Sequence, residues 1–262
     1  MKTLKVRNIT FGEGIPKICV PLTCGNEKEL PPEIERALQE EPDVLEFRAD
    51  LFCNVFTRIC EDGVRCAASE RIGELMRRVR EQIGETVLLF TWRTAPEGGS
   101  SPEEDQCYPE ILSAALTGGA VDLIDIELRH PERKRIREEA RRRGVPVILS
   151  EHDFHRTPGE EEILRSLKEM EINGADIAKI AVMPSSVQDV RRLAHAAKEA
   201  FSYAHIPIIA IAMGEYGKET RIRAEEIGSC LTFGSVGGES APGQIPVREL
   251  HKLLLAFHKE FV

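Results

Sequence analysis

Residues 146–182 read PVILSEHDFHRTPGEEEILRSLKEMEINGADIAKIAV, and the reading of this stretch decides the fold. Pro146–Ser150 is a short apolar run, expected as a strand. Glu160–Asn173 is a charged, helix-like segment that stops beside Gly174, a residue suited to the end of a helix. Ile177–Val182 is apolar again and reads as a second strand. The same alternation continues outward. Strands are expected at Lys17–Thr23, Val44–Ala49, Val87–Trp92 and Leu123–Leu128 before this unit, and at Pro207–Ala212 and Cys230–Gly234 after it. Helices are expected at Pro32–Gln39, Ser69–Ile83, Pro102–Thr117, Pro131–Arg143, Ser186–Phe201, Glu219–Ile227 and Val247–Phe257. Eight strands alternating with eight helices over 262 residues is the arithmetic of a (β/α)8 barrel, an α/β fold. A doubly wound sheet shares the alternation but usually has fewer strands at this length. Residues 1–15 fit a small N-terminal β-hairpin, and no linker interrupts the rest, so 1–262 is expected as a single barrel domain.

Composition narrows the function classes. Lys and Arg number 35 against 44 Asp and Glu, a net charge of -9, which argues against broad nucleic-acid binding but leaves room for a small cationic pocket. The longest apolar runs, such as Val87–Phe90 and Ile206–Met213, are too short to span a bilayer, so no membrane partner is expected. The start, Met1-Lys2-Thr3-Leu4-Lys5-Val6-Arg7, lacks the apolar core of a secretory signal, and a cytoplasmic location is expected. The seven cysteines are odd in number and form no CxxC pair. They are expected to be mostly reduced thiols, with one bridge among Cys53, Cys60 and Cys66 left open. The only close histidine pair is His152 and His155, and no HExxH or paired-cysteine spacing suggests a metal.

In a barrel, alternate strand residues point into a packed interior, and catalytic groups sit at the C-terminal strand ends. On that alternation Glu46, Arg48 and Asp50 share a face, as do Thr91 and Arg93, Asp125 and Glu127, Ser150 and His152, while Lys179 stands between Ile177 and Ala181. Internal ion pairs would explain one or two of these. Charge on five strands at one rim points instead to a site, because buried charge is costly. An amine that loses water favours its neutral form, the form that attacks a carbonyl, so Lys179 is the candidate nucleophile. The bland alternative pairs Lys179 with Glu46 or Glu127. His152, at a strand end, is the candidate proton shuttle. Two glycine-bearing loops follow strands: Glu97-Gly98-Gly99, and Ser235–Gln244. The second occupies a position where barrels often bind phosphate, or it could serve as a lid.

Several segments together resemble type I 3-dehydroquinate dehydratase, the Schiff-base class of the shikimate pathway. They are Leu45-Glu46-Phe47-Arg48, Phe90–Gly99, Ser150–His155, Asp176–Pro184, Ile211–Gly214, Thr232-Phe233-Gly234 and Ser240–Gln244, matching in order and spacing. The resemblance implies an eight-stranded barrel, a homodimer, no cofactor and no metal. It makes Lys179 the imine-forming lysine, His152 the proton shuttle and Glu97 the carboxylate supporting that histidine. Glu46, Arg48 and Arg93 match contacts to substrate hydroxyls, with Phe47 their neighbour. Arg221 matches the arginine that holds the substrate carboxylate, with Arg223 two residues away as a rival. Ser240 and Gln244 match lid residues. Pro21 stands where some members place a substrate-binding serine, and Gly237-Gly238-Glu239 lacks a lysine pair that some members carry. The implied substrate is 3-dehydroquinate, dehydrated to 3-dehydroshikimate. The other readings are a class I aldolase barrel, a non-catalytic ligand-sensing barrel, and a metal-dependent isomerase using Asp125, Glu127 and His152.

Overall fold

A computed structural model of the chain describes residues 2–55, 65–100 and 105–261. In chain order it contains β1 (Leu4–Val6), β2 (Ile9–Phe11), β3 (Lys17–Leu22), α1 (Leu30–Leu38), β4 (Val44–Arg48), α2 (Arg65–Ile83), β5 (Val87–Thr91), α3 (Tyr108–Gly118), β6 (Leu123–Glu127) and α4 (Arg133–Arg143). Then come β7 (Val147–Asp153), α5 (Glu160–Ile172), β8 (Ile177–Val182), α6 (Val187–Tyr203), β9 (Ile208–Ala212), α7 (Gly214–Ile222), β10 (Leu231–Ser235), β11 (Ile245–Pro246) and α8 (Val247–Phe261). Setting aside the antiparallel β1–β2 hairpin and the two-residue β11, this is the alternation of a (β/α)8 barrel.

The chain divides into two compact units, Met1–Val20 with Ile148–Val262, and Pro21–Val147. In the second, β4, β5 and β6 run parallel, with Val44 opposite Val87 and Leu89 opposite Leu123. All three are buried along their whole length, as a parallel strand covered on both faces must be. Helix α1 opens with prolines in its first turn, and its buried Glu33 accepts the Thr23 amide, the Thr23 hydroxyl and the Cys24 amide at 2.8–2.9 Å. That carboxylate ties down the turn after β3. In the first unit β7, β8 and β9 run parallel, with Ser150 opposite Lys179 and Lys179 opposite Ile209. Strand β10 pairs in parallel with β3 and with β11.

Helices α2 and α8 run four residues beyond their expected ends, to Arg65 and Phe261, and three further departures have local causes. Strand β7 runs on to Asp153 instead of stopping at Ser150, because its ladder with β8 continues through His152–Ala181 and Asp153–Val182. Helix α7 spans Gly214–Ile222, not Glu219–Ile227; Ala224–Ile227 form turns beyond it. Gly214 and Gly217 made its first turn look like loop. Gly217 is needed there because a Cβ at that position would lie 2.1 Å from the Ala212 carbonyl oxygen. Helix α3 starts at Tyr108, after a short turn at Asp105–Cys107, rather than at Pro102, which lies outside the described residues. Cys19, Cys24 and Cys230 form no disulfide, as expected. Cys107 is disulfide-bonded, which the sequence reading did not anticipate. The bridge considered among Cys53, Cys60 and Cys66 falls outside the described side chains.

Candidate active site

The β7–β8 ladder fixes the relation of the two leading candidates. In a parallel pair, opposed residues share a face, so Ser150, His152, Lys179 and Ala181 all face the same way. His152 is two residues further along its strand than Ser150, the partner of Lys179, which separates the Cα atoms of His152 and Lys179 by about 8 Å. Side chains of imidazole and lysine length can meet across that diagonal. Lys179 is only 4% exposed, the lone charged residue in a strand of Ile, Ala and Val. Its Nζ lies 4.7 Å from the centroid of the Phe233 ring on β10, near enough for a cation–π contact. Burial of Lys179 was legible in the sequence; the Phe233 ring was not, since it comes from a distant strand. His155 is exposed in the loop beyond β7, with its backbone amide bonded to the Asp153 carboxylate at 2.9 Å.

In the Pro21–Val147 unit, the charged face of β4, β5 and β6 is a hydrogen-bonded array. Arg48 makes a forked pair with Asp50, Nε–Oδ1 2.8 Å and Nη2–Oδ2 2.7 Å. Glu46 accepts the Thr91 hydroxyl at 2.7 Å. Arg93 reaches Asp125 at 2.8 Å, Glu127 at 3.2 Å and Glu97 at 3.4 Å. Burial works against the Arg93 charge, but these three carboxylates outweigh it and hold the guanidinium well above its ordinary value. Burial likewise raises the Glu127 carboxyl above the usual carboxylate range, against the pull of Arg93 and two bonds from Thr94. Internal ion pairing thus accounts for part of the charge on this face. It also takes up Asp125 and Glu127, the carboxylates considered for a catalytic cation. Phe47 stands on the opposite face of β4 from Glu46 and Arg48, packed against Phe52 and Phe90 at 5.3 and 5.9 Å between ring centroids. Its ring packs behind the face that carries Glu46 and Arg48.

Arg221 and Arg223 separate cleanly. Arg223 is exposed and paired with Glu219 and Glu226. Arg221, in the last turn of α7, is 1% exposed and donates to two backbone carbonyls, Phe233 at 3.4 Å and Pro242 at 3.2 Å. Its Nε is buried with no hydrogen-bond partner, and no carboxylate of the described residues is ion-paired to it. Desolvation pushes its pKa down to about 10. A buried guanidinium without an ion-pair partner is an anion site in waiting.

The loop after β10 is tied to this arginine. Ser240 and Gln244 bond each other twice, backbone amide to Oε1 at 3.0 Å and Nε2 to the hydroxyl at 2.9 Å. The Pro242 carbonyl accepts both Arg221 and the Gly214 amide, the latter at 3.0 Å. Gly243 packs on Gly214 so closely that a Cβ would sit 2.4 Å from its carbonyl oxygen. Tyr108, whose hydroxyl accepts the Glu127 amide at 2.8 Å, and Asp105, which receives Trp92 Nε1 and the Ala95 amide, support the β5 and β6 ends. Sequence reading missed both, because nothing local distinguishes them from surface polar residues.

Comparison with known proteins identifies what this arrangement resembles. Residues 18–260 match the family model described as type I 3-dehydroquinase. A 3-dehydroquinate dehydratase of Bacillus velezensis is 41% identical over 262 residues, covering 99% of each chain. One from Listeria monocytogenes is 41% identical over 263 residues, covering 100% of both. Among solved structures, the type I 3-dehydroquinate dehydratase of Clostridium difficile with covalently modified comenic acid superposes with a TM-score of 0.90 at 38% identity, covering 99% of this chain and 100% of that one. The 3-dehydroquinate dehydratase of Geobacillus kaustophilus gives a TM-score of 0.90 at 36% identity, covering 98% of this chain and 97% of that one.

Proposed function

The chain belongs to the type I 3-dehydroquinase family, and from that premise we propose how its own residues carry out the reaction. It is a dehydratase that converts 3-dehydroquinate in the shikimate pathway. Lys179 condenses with the ring ketone and releases water. The resulting iminium draws electrons from the neighbouring carbon, so the adjacent C–H becomes acidic. His152 removes that proton to give an enamine. The enamine expels the β-hydroxyl, to which His152 returns the proton, and water then hydrolyses the product imine. Covalent attachment divides one difficult elimination into easier steps.

The observation that carries this reading is Lys179, buried on an apolar strand beneath the Phe233 ring, on the same face as His152. Arg221 takes the substrate carboxylate, which supplies the direct ion-pair partner it lacks among the described residues and can reach its unpaired Nε. Glu46, Arg48 and Arg93 take the ring hydroxyls, held in line by Thr91, Asp50, Asp125 and Glu127. Glu97 takes the part of the carboxylate that supports the histidine. Ser240 and Gln244, already bonded to each other, close the lid side. Much of the rate gain comes from this fixed orientation.

Borohydride reduction with 3-dehydroquinate present is expected to inactivate the enzyme and leave one ligand-derived adduct on Lys179, read by peptide mass spectrometry. Lys179→Met should abolish adduct and turnover while folding normally. An adduct on any other residue, or none with active enzyme, overturns the assignment. The proposal extends to one domain over residues 1–262, a homodimer and a cytoplasmic location. A sedimentation mass equal to one chain would remove the dimer. No helix among the described residues is long and apolar enough to cross a membrane.

A further inference from the structure

Arg221 meets a negative charge from within the chain, although no ion pair forms. Among the described residues the acid whose charge bears on it is Glu239, on the loop after β10. The loop's hydrogen bonds place that acid. Glu239 Oε2 accepts the Gly243 amide at 3.1 Å, and the preceding residue, Pro242, accepts Arg221 through its carbonyl at 3.2 Å. Two adjacent residues, Pro242 and Gly243, therefore bond the guanidinium and the Glu239 carboxylate respectively, which keeps the two charges on the same short stretch of loop. Lys218 also feels Glu239, but its ammonium is already paired with Glu215 at 2.9 Å.

We propose that Glu239 sets the charge specificity of the Arg221 pocket, favouring a monoanionic carboxylate over a dianionic phosphate. The inference rests on Arg221 being the carboxylate site. The loop after the last barrel strand is a position where phosphate is commonly bound, and here it presents an acid in place of a further donor. A buried arginine with a free Nε would by itself attract a dianion more strongly than a monoanion. Glu239 opposes this, since its repulsion acts once on a carboxylate and twice on a dianion. Specificity of this kind needs a repulsive element as well as an attractive one. Glu239 is exposed, so solvent screens its field and the effect is moderate rather than large.

The test compares Glu239→Gln with the parent enzyme at about pH 8, where inorganic phosphate is chiefly a dianion. The amide oxygen of Gln can still accept the Gly243 amide, so only the charge is lost. The KM for 3-dehydroquinate should fall about three-fold and the competitive inhibition constant of inorganic phosphate about ten-fold. Glu215→Gln, the same change in net charge outside the pocket, should leave the ratio of the two constants unchanged. Equal changes in both constants, or no change, in Glu239→Gln overturn the proposal. A rise in both constants also overturns it, since Glu239 would then only order the loop. Arg221→Met tests the premise separately: if it leaves KM unchanged, the carboxylate reading itself fails, whereas a raised KM with an unmoved phosphate ratio in Glu239→Gln refutes Glu239 alone.

Discussion

At the residue scale, the two sharpest groups are a buried lysine and a buried arginine, and the arginine is held at a cost. For Arg221 the sign of that cost is clear. Its folded pKa of about 10 lies below the ordinary guanidinium value, so the native state binds protons less tightly than the unfolded chain. The penalty is fully present below about pH 10 and is relieved as pH rises from there toward the ordinary guanidinium value. Arg221→Met should therefore keep or raise the melting temperature at neutral pH while raising KM about 30-fold or more, the loss of a buried charge partner. A variant that melts several degrees lower would show that the two carbonyl contacts outweigh the desolvation. In the wild type, substrate affinity should decline as pH rises through about 10, where the guanidinium loses its charge. His152→Ala should still form an imine but lose proton transfer, a drop of roughly 10²–10⁴ or more. A covalent species should then accumulate without borohydride, visible by mass spectrometry. If His155→Ala were the inactive variant instead, the wrong histidine has been chosen.

At the element scale, the site depends on where strands end and where α7 begins. The β7 ladder continues to Asp153, and this carries His152 on a strand instead of a loop. A group on a paired strand is held more rigidly than one on a loop, which suits a proton shuttle that acts at more than one step. Helix α7 starts as soon as β9 ends, and Gly217 allows its first turn to pack directly on Ala212. Thr220 reinforces that junction, its hydroxyl donating to the Gly217 carbonyl at 2.8 Å and accepting the Ala212 amide at 3.1 Å. Arg221 is the next residue. Gly217→Ala should push α7 off β9, lowering stability by about 1–3 kcal/mol and raising KM several-fold with a smaller effect on kcat. Thermal melts and steady-state kinetics read both; unchanged KM would mean that Arg221 is positioned by its carbonyl contacts alone.

At the scale of the whole molecule, charge is sorted by burial. The buried cations are Arg48 at the end of β4, Arg93 just beyond β5, Lys179 within β8 and Arg221 on α7, in a chain whose net charge is -9. The set of described groups that could gather around a metal ion, Glu160, His195 and Glu199, lies instead on α5 and α6, with His195 and Glu199 exposed. Chelators should accordingly leave turnover unchanged, measured before and after dialysis against EDTA. Loss of activity restored by a divalent ion would sink the imine mechanism as written. The alternation of apolar strands with charged helices was enough to determine the fold class, because the period of a pattern depends only on neighbours along the chain. The same logic exposed Lys179 as a charge on an apolar strand and His152 near a strand end. The start of α7 was hidden, since two glycines that look like loop are there to let backbone approach backbone. The Phe47 role was hidden too, since its place behind the Glu46 and Arg48 face emerges only with the Phe52 and Phe90 rings. Tertiary structure alone decided that Arg221 and not Arg223 is buried, that the Phe233 ring lies against Lys179, and that the loop carrying Glu239 is bonded to the arginine. Each of these depends on residues far apart in sequence meeting in space, and no local pattern records such a meeting.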